Sequence, residues 1–263
     1  MGRYRRIISL SPAVTEILYM IGESDNIAGT SAFCVHPEDA RKKRKVGSYG
    51  TVSWDLVSQI DPDAVFTISG YPHAIYEKLS EKYHVVEFDL PSTVAGVLDL
   101  VMKVGFEVDE PDASRSLYQK LLRSIPDPVD GEMTSYIELD LGGPVSFGTY
   151  SYITDALSLM RIPSIYRKER KEWLQPDFDY VESMDPDIII FEPKMFRSLS
   201  PDDVVRERGW TDLRAYRNGN VYVTPSKYDF FAHHGPSFIT DVLPWINKIK
   251  ENSIRNKKDH IDA

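Results

Sequence analysis

Two adjacent histidines, His233 and His234, are the side chains best suited to a metal centre, because imidazole nitrogen coordinates cobalt and iron. Neighbouring side chains on an extended segment point in opposite directions, so we expect at most one of them to reach a bound ligand. A hydrogen-bonded pair with no metal role is the alternative interpretation. A bare ion is disfavoured, since the other histidines are scattered and no close-spaced ligand motif such as HExxH occurs.

Motifs for covalent catalysis and nucleotide binding are missing from the sequence. It contains no GxSxG nucleophile motif, no phosphate-binding P-loop and no GxGxxG after the first predicted strand. Hydrolysis through an activated nucleophile and nucleotide chemistry therefore lack the residues that anchor them. The sequence predicts a binding protein rather than an enzyme, with no cofactor of its own.

Composition narrows the class of protein further. The chain has 263 residues and a formal net charge of -9, which disfavours a nucleic-acid surface, because phosphate binding needs a basic face. The basic run at residues 41–45 is interpreted as a solvated loop. A single cysteine, Cys34, excludes an internal disulfide. No stretch approaches 18 apolar residues, so we expect a protein that is not integral to a membrane.

The order of the predicted elements is that of an α/β protein. A β-branched run at residues 6–10 precedes Ser11 and Pro12, which are typical of a helix N-cap and first turn. Strand and helix patterns then alternate up to residue 90, which indicates a parallel sheet. The sequence QIDPDAVFTI at residues 59–68 nearly recurs as MDPDIIIFE at residues 184–192. Each copy predicts the end of a helix, a turn and a buried strand.

This repeat predicts two lobes, residues 1–93 and residues 124–250, each with a parallel sheet and its own core. Residues 94–123 between them have a helical pattern with one interruption near Pro111. Because that segment lacks the composition of a flexible linker, we predict a long bridging helix. The polar, charged tail at residues 251–263 is predicted to be disordered.

Five segments in fixed order carry a family resemblance. They are RIISLSPAVTEILYMIG, CVHPEDARKKRKVGSY, LVSQIDPDAVFT, GWTDLRAYRNGNVYV and HHGPSFITDVLPWI. Together they resemble the class III substrate-binding proteins of ABC importers for cobalamin, haem and ferric siderophores, over residues 5–249. The resemblance implies two Rossmann-like lobes joined by one long helix, with a largely preformed cleft for the ligand between them.

The resemblance also implies where the ligand binds. A macrocycle or chelate presents an apolar face with polar edges, so aromatic side chains on several loops suit it. Cobalamin, or another corrinoid, is the expected ligand, because no arginine-rich wall for an anionic chelate is evident; haem and a ferric siderophore are the alternatives. A Tyr phenolate could replace histidine as axial ligand. The candidate ligand-binding residues are Tyr49, Tyr71, Phe147, Tyr150, Tyr152, Tyr228, Phe230, Phe231, His233 and His234.

Partners and compartment follow from the same resemblance. Relatives dock on an importer permease through surface glutamates, for which Glu77 and Glu207 are the candidates here. Members normally carry a signal peptide, whereas this sequence starts at the first predicted strand. We therefore expect a periplasmic or cell-surface protein if an export signal was removed. A cytoplasmic carrier or sensor of the same chelate, without a permease, is the alternative.

Overall fold

The N-terminal half of the protein contains a parallel sheet. The structure is a computed structural model, and it describes residues 3–48, 50–70, 73–195, 197–225 and 228–261. The strands of this sheet are β1 Ile7–Ser9, β2 Ile27–Ser31, β3 Lys45–Gly47, β4 Ala64–Ile68 and β5 Val85–Phe88. The helices are α1 Pro12–Met20, α2 Trp54–Ile60, α3 His73–Ser80, α4 Val94–Glu107 and α5 Pro111–Ser124, with short 3-10 helices at Ser24–Asn26 and Glu38–Lys42. The strand order is β3-β2-β1-β4-β5, and each neighbouring pair is parallel.

The C-terminal half has a second five-stranded sheet. Its strands are β6 Ser135–Asp140, β7 Pro144–Phe147, β8 Trp173–Leu174, β9 Ile188–Glu192 and β10 Val221–Val223. Its helices are α6 Tyr152–Leu159, α7 Phe178–Met184, α8 Pro201–Glu207, α9 Arg214–Arg217 and α10 Leu243–Ile261, with a 3-10 helix at Trp210–Asp212 and a π-helical turn at Phe238–Val242. The strand order is β10-β9-β6-β7-β8. The predicted α/β class with two sheets is confirmed.

The second sheet is mixed, which corrects the prediction of two parallel sheets. β6 runs parallel to β9, whereas β7 pairs antiparallel with both β6 and β8. The reversal occurs at Gly142 and Gly143, whose φ angles of 104° and 159° lie in a region that side chains disfavour. Two glycines at this point let the chain turn back directly as a hairpin, without the helical crossover that a parallel neighbour needs.

Tertiary contacts divide the chain into two units. The N-terminal unit comprises Met1–Pro91, Ala95–Ser124 and His233–Pro236, and the C-terminal unit comprises Ser92–Val94, Ile125–Ala232 and Ser237–Ala263. The N-terminal unit thus includes one short segment from late in the sequence.

The two DPD turns explain why the sequence repeats itself. Asp61 and Asp185 end α2 and α7 with left-handed φ angles of 49° and 40°, a conformation that aspartate tolerates. The second aspartate of each turn then holds the backbone at the start of the first strand of its unit. Asp63 Oδ2 accepts hydrogen bonds from the N–H groups of Arg5 and Arg6 at 2.8 and 2.9 Å. Asp187 Oδ2 accepts one from the Thr134 N–H at 2.9 Å.

The segment from residue 94 to residue 123, predicted as one long bridging helix, consists of two 14-residue helices. Asp109 adopts a φ of 63° and Pro111 begins α5, where its missing N–H costs no hydrogen bond. Gly105 allows the close approach of the two helices, since a Cβ there would collide with the Ser114 side chain. The residues from Ala95 to Ser124 belong to the N-terminal unit.

Helix α10 continues to Ile261, which corrects the predicted disorder of the tail at residues 251–263. Ser253 is fully buried, and its Oγ lies 2.9 Å from the Tyr222 hydroxyl. Asn256 Nδ2 donates to Asn220 Oδ1 at 3.0 Å. These contacts on one face of the helix anchor a sequence that is polar in composition.

Arg208 is surrounded by an acidic side chain and several aromatic side chains in the core of the C-terminal unit. Arg208 forms a two-pronged ion pair with Glu138, with distances of 2.6 and 2.7 Å from Nη1 and Nη2 to the carboxylate oxygens. Its guanidinium carbon lies 4.3 Å from the ring centre of Phe178 and 5.0 Å from that of Trp210. The Tyr136 hydroxyl donates to the same carboxylate at 2.5 Å. The charge of Glu138 is therefore compensated inside an aromatic core.

Candidate functional site

The carboxyl ends of β9 and β10 position the loop that contains several predicted ligand-binding residues. Ligands of open α/β sheets bind beyond the carboxyl ends of the strands. β9 ends at Glu192 and β10 ends at Val223. We call residues Tyr228 to Ala232, which follow β10, the binding loop.

Glu192 is hydrogen-bonded to the backbone of this loop. Its side chain is buried, and it accepts hydrogen bonds from the Phe231 N–H at 2.6 Å and the Ala232 N–H at 3.3 Å. Burial raises the pKa of Glu192 to about 8; these N–H groups oppose the rise and the Asp229 charge adds to it. The carboxyl group is therefore mostly protonated at neutral pH. Sequence reasoning missed this residue, although an acid that ends the apolar run IIIF is a visible signal.

Tyr152 on helix α6 is also hydrogen-bonded to this loop. Its hydroxyl donates to the Phe231 carbonyl oxygen at 2.7 Å. Its ring packs edge-on against Phe238, with 4.9 Å between ring centres. Because the whole side chain is buried, the pKa of Tyr152 is raised well above its ordinary value. Tyr152, predicted to bind the ligand, thus uses its hydroxyl group to hold the backbone of the loop.

The phenylalanines of the loop lie in the core. Phe230 and Phe231 are both buried and pack edge-on against Trp245, with ring centres 5.7 and 5.9 Å away. Tyr228 is half-buried, and its hydroxyl donates to Asp241 Oδ2 at 3.1 Å. We therefore expect the two phenylalanines, predicted as ligand contacts, to shape the loop, and Tyr228 to be its more accessible aromatic residue.

Exposed aromatic residues lie on the other edge of the C-terminal sheet. Tyr150 and Trp173 are 53% and 63% exposed, an unusual state for such large rings. The backbone brings them close: the Tyr150 N–H donates to the Lys171 carbonyl oxygen at 3.1 Å, and Trp173 pairs with the predicted residue Phe147, which is buried. Trp173 was missed from the sequence because β8 has only two residues and gives no strand pattern.

A polar cavity of about 330 Å³ opens in the same unit. Asp155 in its wall accepts a hydrogen bond from the Val94 N–H at 2.8 Å and so caps helix α4. The cavity holds two cationic side chains, which suit an anionic edge of a ligand. Its lining consists of Ser92, Thr93, Thr149, Thr154, Asp155, Ser158, Arg167 and Lys168.

His233 is held by a carboxylate in the N-terminal unit. Its Nε2 lies 2.7 Å from Glu16 Oε2, and His36 Nε2 lies 3.3 Å from the other carboxylate oxygen. Although burial alone would raise the pKa of Glu16, the contacts with His233 and His36 lower it to about 2. Glu16 is therefore ionised at neutral pH. Axial coordination through His233 Nε2 would require that nitrogen to leave Glu16.

The remaining predicted site residues are distributed as follows. His234 is buried, whereas Glu77 on α3 and Glu207 at the end of α8 are exposed. Tyr49 and Tyr71 lie outside the described residues. Among the described residues, no group of three or more His, Cys, Asp or Glu side chains is placed to hold a metal ion. Over those same parts of the chain, no helix is both long and apolar enough to cross a membrane.

Known proteins share both the sequence pattern and the fold. The family model described as "Periplasmic binding protein" matches residues 7–228. The chain belongs to this family, which confirms the resemblance found in the sequence, and it is a binding protein rather than an enzyme.

Two curated relatives are distant in sequence. The uncharacterized ABC transporter substrate-binding lipoprotein YvrC of Bacillus subtilis is 21% identical over 252 residues, covering 90% of this chain and 77% of that protein. A vitamin B12-binding protein of Yersinia pestis is 22% identical over 191 residues, covering 70% of this chain and 68% of that protein.

Two solved structures share the fold along nearly the whole chain. The periplasmic vitamin B12 binding protein BtuF of Vibrio cholerae has a TM-score of 0.74 at 18% identity and covers 97% of this chain and 98% of its own. The periplasmic heme-binding protein BhuT in complex with two hemes has a TM-score of 0.79 at 17% identity and covers 94% and 98%.

Proposed function

We propose that this protein captures a metal-centred macrocycle, a corrinoid such as cobalamin in the first place, and delivers it to an ABC importer. The observation that carries the proposal is that Tyr150 and Trp173 are exposed in the same unit as a cavity that contains Arg167 and Lys168. Large aromatic rings that stay in solvent in the free protein are suited to covering an apolar ligand face. The names of the relatives support the same class of ligand.

The balance of aromatic and cationic groups favours a macrocycle over an anionic siderophore. A corrin ring offers a broad apolar surface, and cobalamin carries a single phosphate. Thr149 lines the cavity and directly precedes Tyr150, so one ligand could stack on the aromatic pair and reach the cations with its phosphate. Haem, with two carboxylates on an apolar ring, is the second candidate on the same observation.

Three side chains are candidates for an axial ligand to the metal. His233 can coordinate cobalt or iron through Nε2 only if it exchanges Glu16 for the metal. Tyr150 presents an exposed phenol, which coordinates iron in some haem proteins. His234 remains a candidate beside them.

For delivery, Glu77 and Glu207 are the proposed contacts to the permease, on helices α3 and α8.

A titration with three ligand classes tests the proposal. Purified protein is titrated with cyanocobalamin, haemin and a ferric siderophore while absorbance and tryptophan fluorescence are followed. We expect cyanocobalamin to bind, and the variant Trp173→Ala to bind it about fivefold more weakly, since stacking on one aromatic ring contributes about 1 kcal/mol.

Phe106→Ala is the matched control, because Phe106 is also a large exposed aromatic residue, 54% exposed, in the N-terminal unit. This variant should bind like the wild type. Saturable binding of haemin alone would replace the corrinoid by haem. No response to any of the three ligands would contradict the chelate function altogether. For the axial ligand, unchanged absorption bands in both His233→Ala and His234→Ala would exclude histidine coordination.

A further inference from the structure

Glu192 is a buried acid whose only described hydrogen-bond donors are backbone N–H groups of the binding loop. Its side chain is buried, and none of the ion pairs among the described residues involves it. This arrangement contrasts with that of two other buried acids, Glu138 and Glu16, which face Arg208 and two histidines respectively. Among the described residues, therefore, no cation pairs with Glu192 to stabilise its charge.

Burial and the charge of Asp229 oppose the ionisation of Glu192, and together they outweigh the N–H groups of the loop, which favour it. The carboxylate of Asp229 in the loop repels a second negative charge. Tyr152 on α6 adds no compensating hydrogen bond, because its hydroxyl donates to the Phe231 carbonyl oxygen instead. A buried carboxylate without a cation costs several kcal/mol, so the neutral acid is the form compatible with a closed loop.

Loop position and protonation of Glu192 must then be linked. With the loop in place the acid keeps its proton up to a pH of about 8, whereas an acid exposed to water by an opened loop would release it near its ordinary pKa of 4.5. Each condition that removes the proton thus favours the open loop. Glu192 is buried and contacts the backbone of the loop, so it acts through the loop.

We propose that Glu192 is the positioning residue of the binding loop, which it holds closed when protonated and releases when ionised, so that affinity for the chelate falls as pH rises. This inference depends on the proposed function for its effect on affinity, but not for its effect on the loop. The chemistry requires only loss of a proton from the Glu192 carboxyl group to solvent.

The test compares wild type with Glu192→Gln, which mimics the neutral acid and cannot ionise. Hydrogen exchange at residues 228–232, expressed as protection relative to the unstructured peptide, is measured at pH 7 and pH 9. We expect wild-type protection to fall about tenfold between these values, and the Gln variant to stay constant. The affinity for cyanocobalamin, which does not titrate in this range, should follow the same pattern.

Two further variants keep the test decisive. Glu192→Met fills the same space without accepting hydrogen bonds, so its loop should be unprotected at both pH values while circular dichroism shows a folded protein. Glu182→Gln, at an exposed position on α7, should behave like the wild type. Equal pH dependence in wild type and Glu192→Gln, or full protection in Glu192→Met, would refute the inference. If cyanocobalamin does not bind at all, the corrinoid proposal fails, and loop protection alone decides the role of Glu192.

Discussion

Replacement of Arg208 by methionine should destabilise the protein by about 3–5 kcal/mol, the typical cost of leaving one charge of a buried ion pair without its partner. The two hydrogen bonds from Arg208 to Glu138, at 2.6 and 2.7 Å, are charge-assisted and each contributes about 1.5–3 kcal/mol. Contacts of the guanidinium with Phe178 and Trp210 add about 1–2 kcal/mol. The sum of these contributions is larger than the expected loss of about 3–5 kcal/mol, because removing the two charges from water on folding costs free energy.

Urea unfolding followed by circular dichroism measures this free energy. Arg208→Lys keeps the charge but loses the planar fork, so it should cost less than Arg208→Met. The double variant Arg208→Met with Glu138→Leu should recover at least half of the loss, since no charge remains buried alone. A cost under about 1 kcal/mol for Arg208→Met, or simple additivity in the double variant, would refute the reasoning.

Three other perturbations follow from described contacts. Gly235→Ala should cost about 1–3 kcal/mol in urea unfolding, because its Cβ would collide with Glu16 Oε2; an unchanged midpoint would contradict this close packing. Glu16 has a lowered pKa, so its stabilisation is complete above pH 4.5 and is lost as pH falls towards 2; wild type should lose about 3 kcal/mol more than Glu16→Gln over that window. Asp187→Ala removes the acceptor of the Thr134 N–H and hydroxyl and should cost about 1–2 kcal/mol, measured in the same way, with stability equal to wild type as the opposing result.

Local sequence signals predicted most of the fold. Ser11 caps α1 by accepting the Val14 N–H, and Pro12 occupies the first turn, as the sequence indicated. The DPD repeat located two equivalent helix ends and buried strands, because the conformational preferences of aspartate and proline act within a few residues. The hairpin of β7 was missed, since a two-glycine turn and a four-residue strand give little periodicity.

The candidate site was less predictable, because it depends on contacts between residues far apart in the sequence. Glu192 and the Phe231 backbone are 39 residues apart, and Glu16 and His233 are 217 residues apart. Aromatic type alone could not distinguish the buried Phe231 from the exposed Tyr150. Lys45, assigned to a solvated basic run, instead donates hydrogen bonds to the Cys34 and Ala40 carbonyl oxygens, which needs the folded loop around it.

The segment His233–Pro236 limits how this protein can be dissected by truncation. It belongs to the N-terminal unit, although more than a hundred residues separate it from Ser124, the end of the preceding part of that unit. A fragment that stops at Ser124 would lack His233 and so remove one of the two imidazoles that stabilise the Glu16 charge. A circular permutant, or a short linker that appends HHGP after α5, would be the appropriate design for studying this half of the molecule alone.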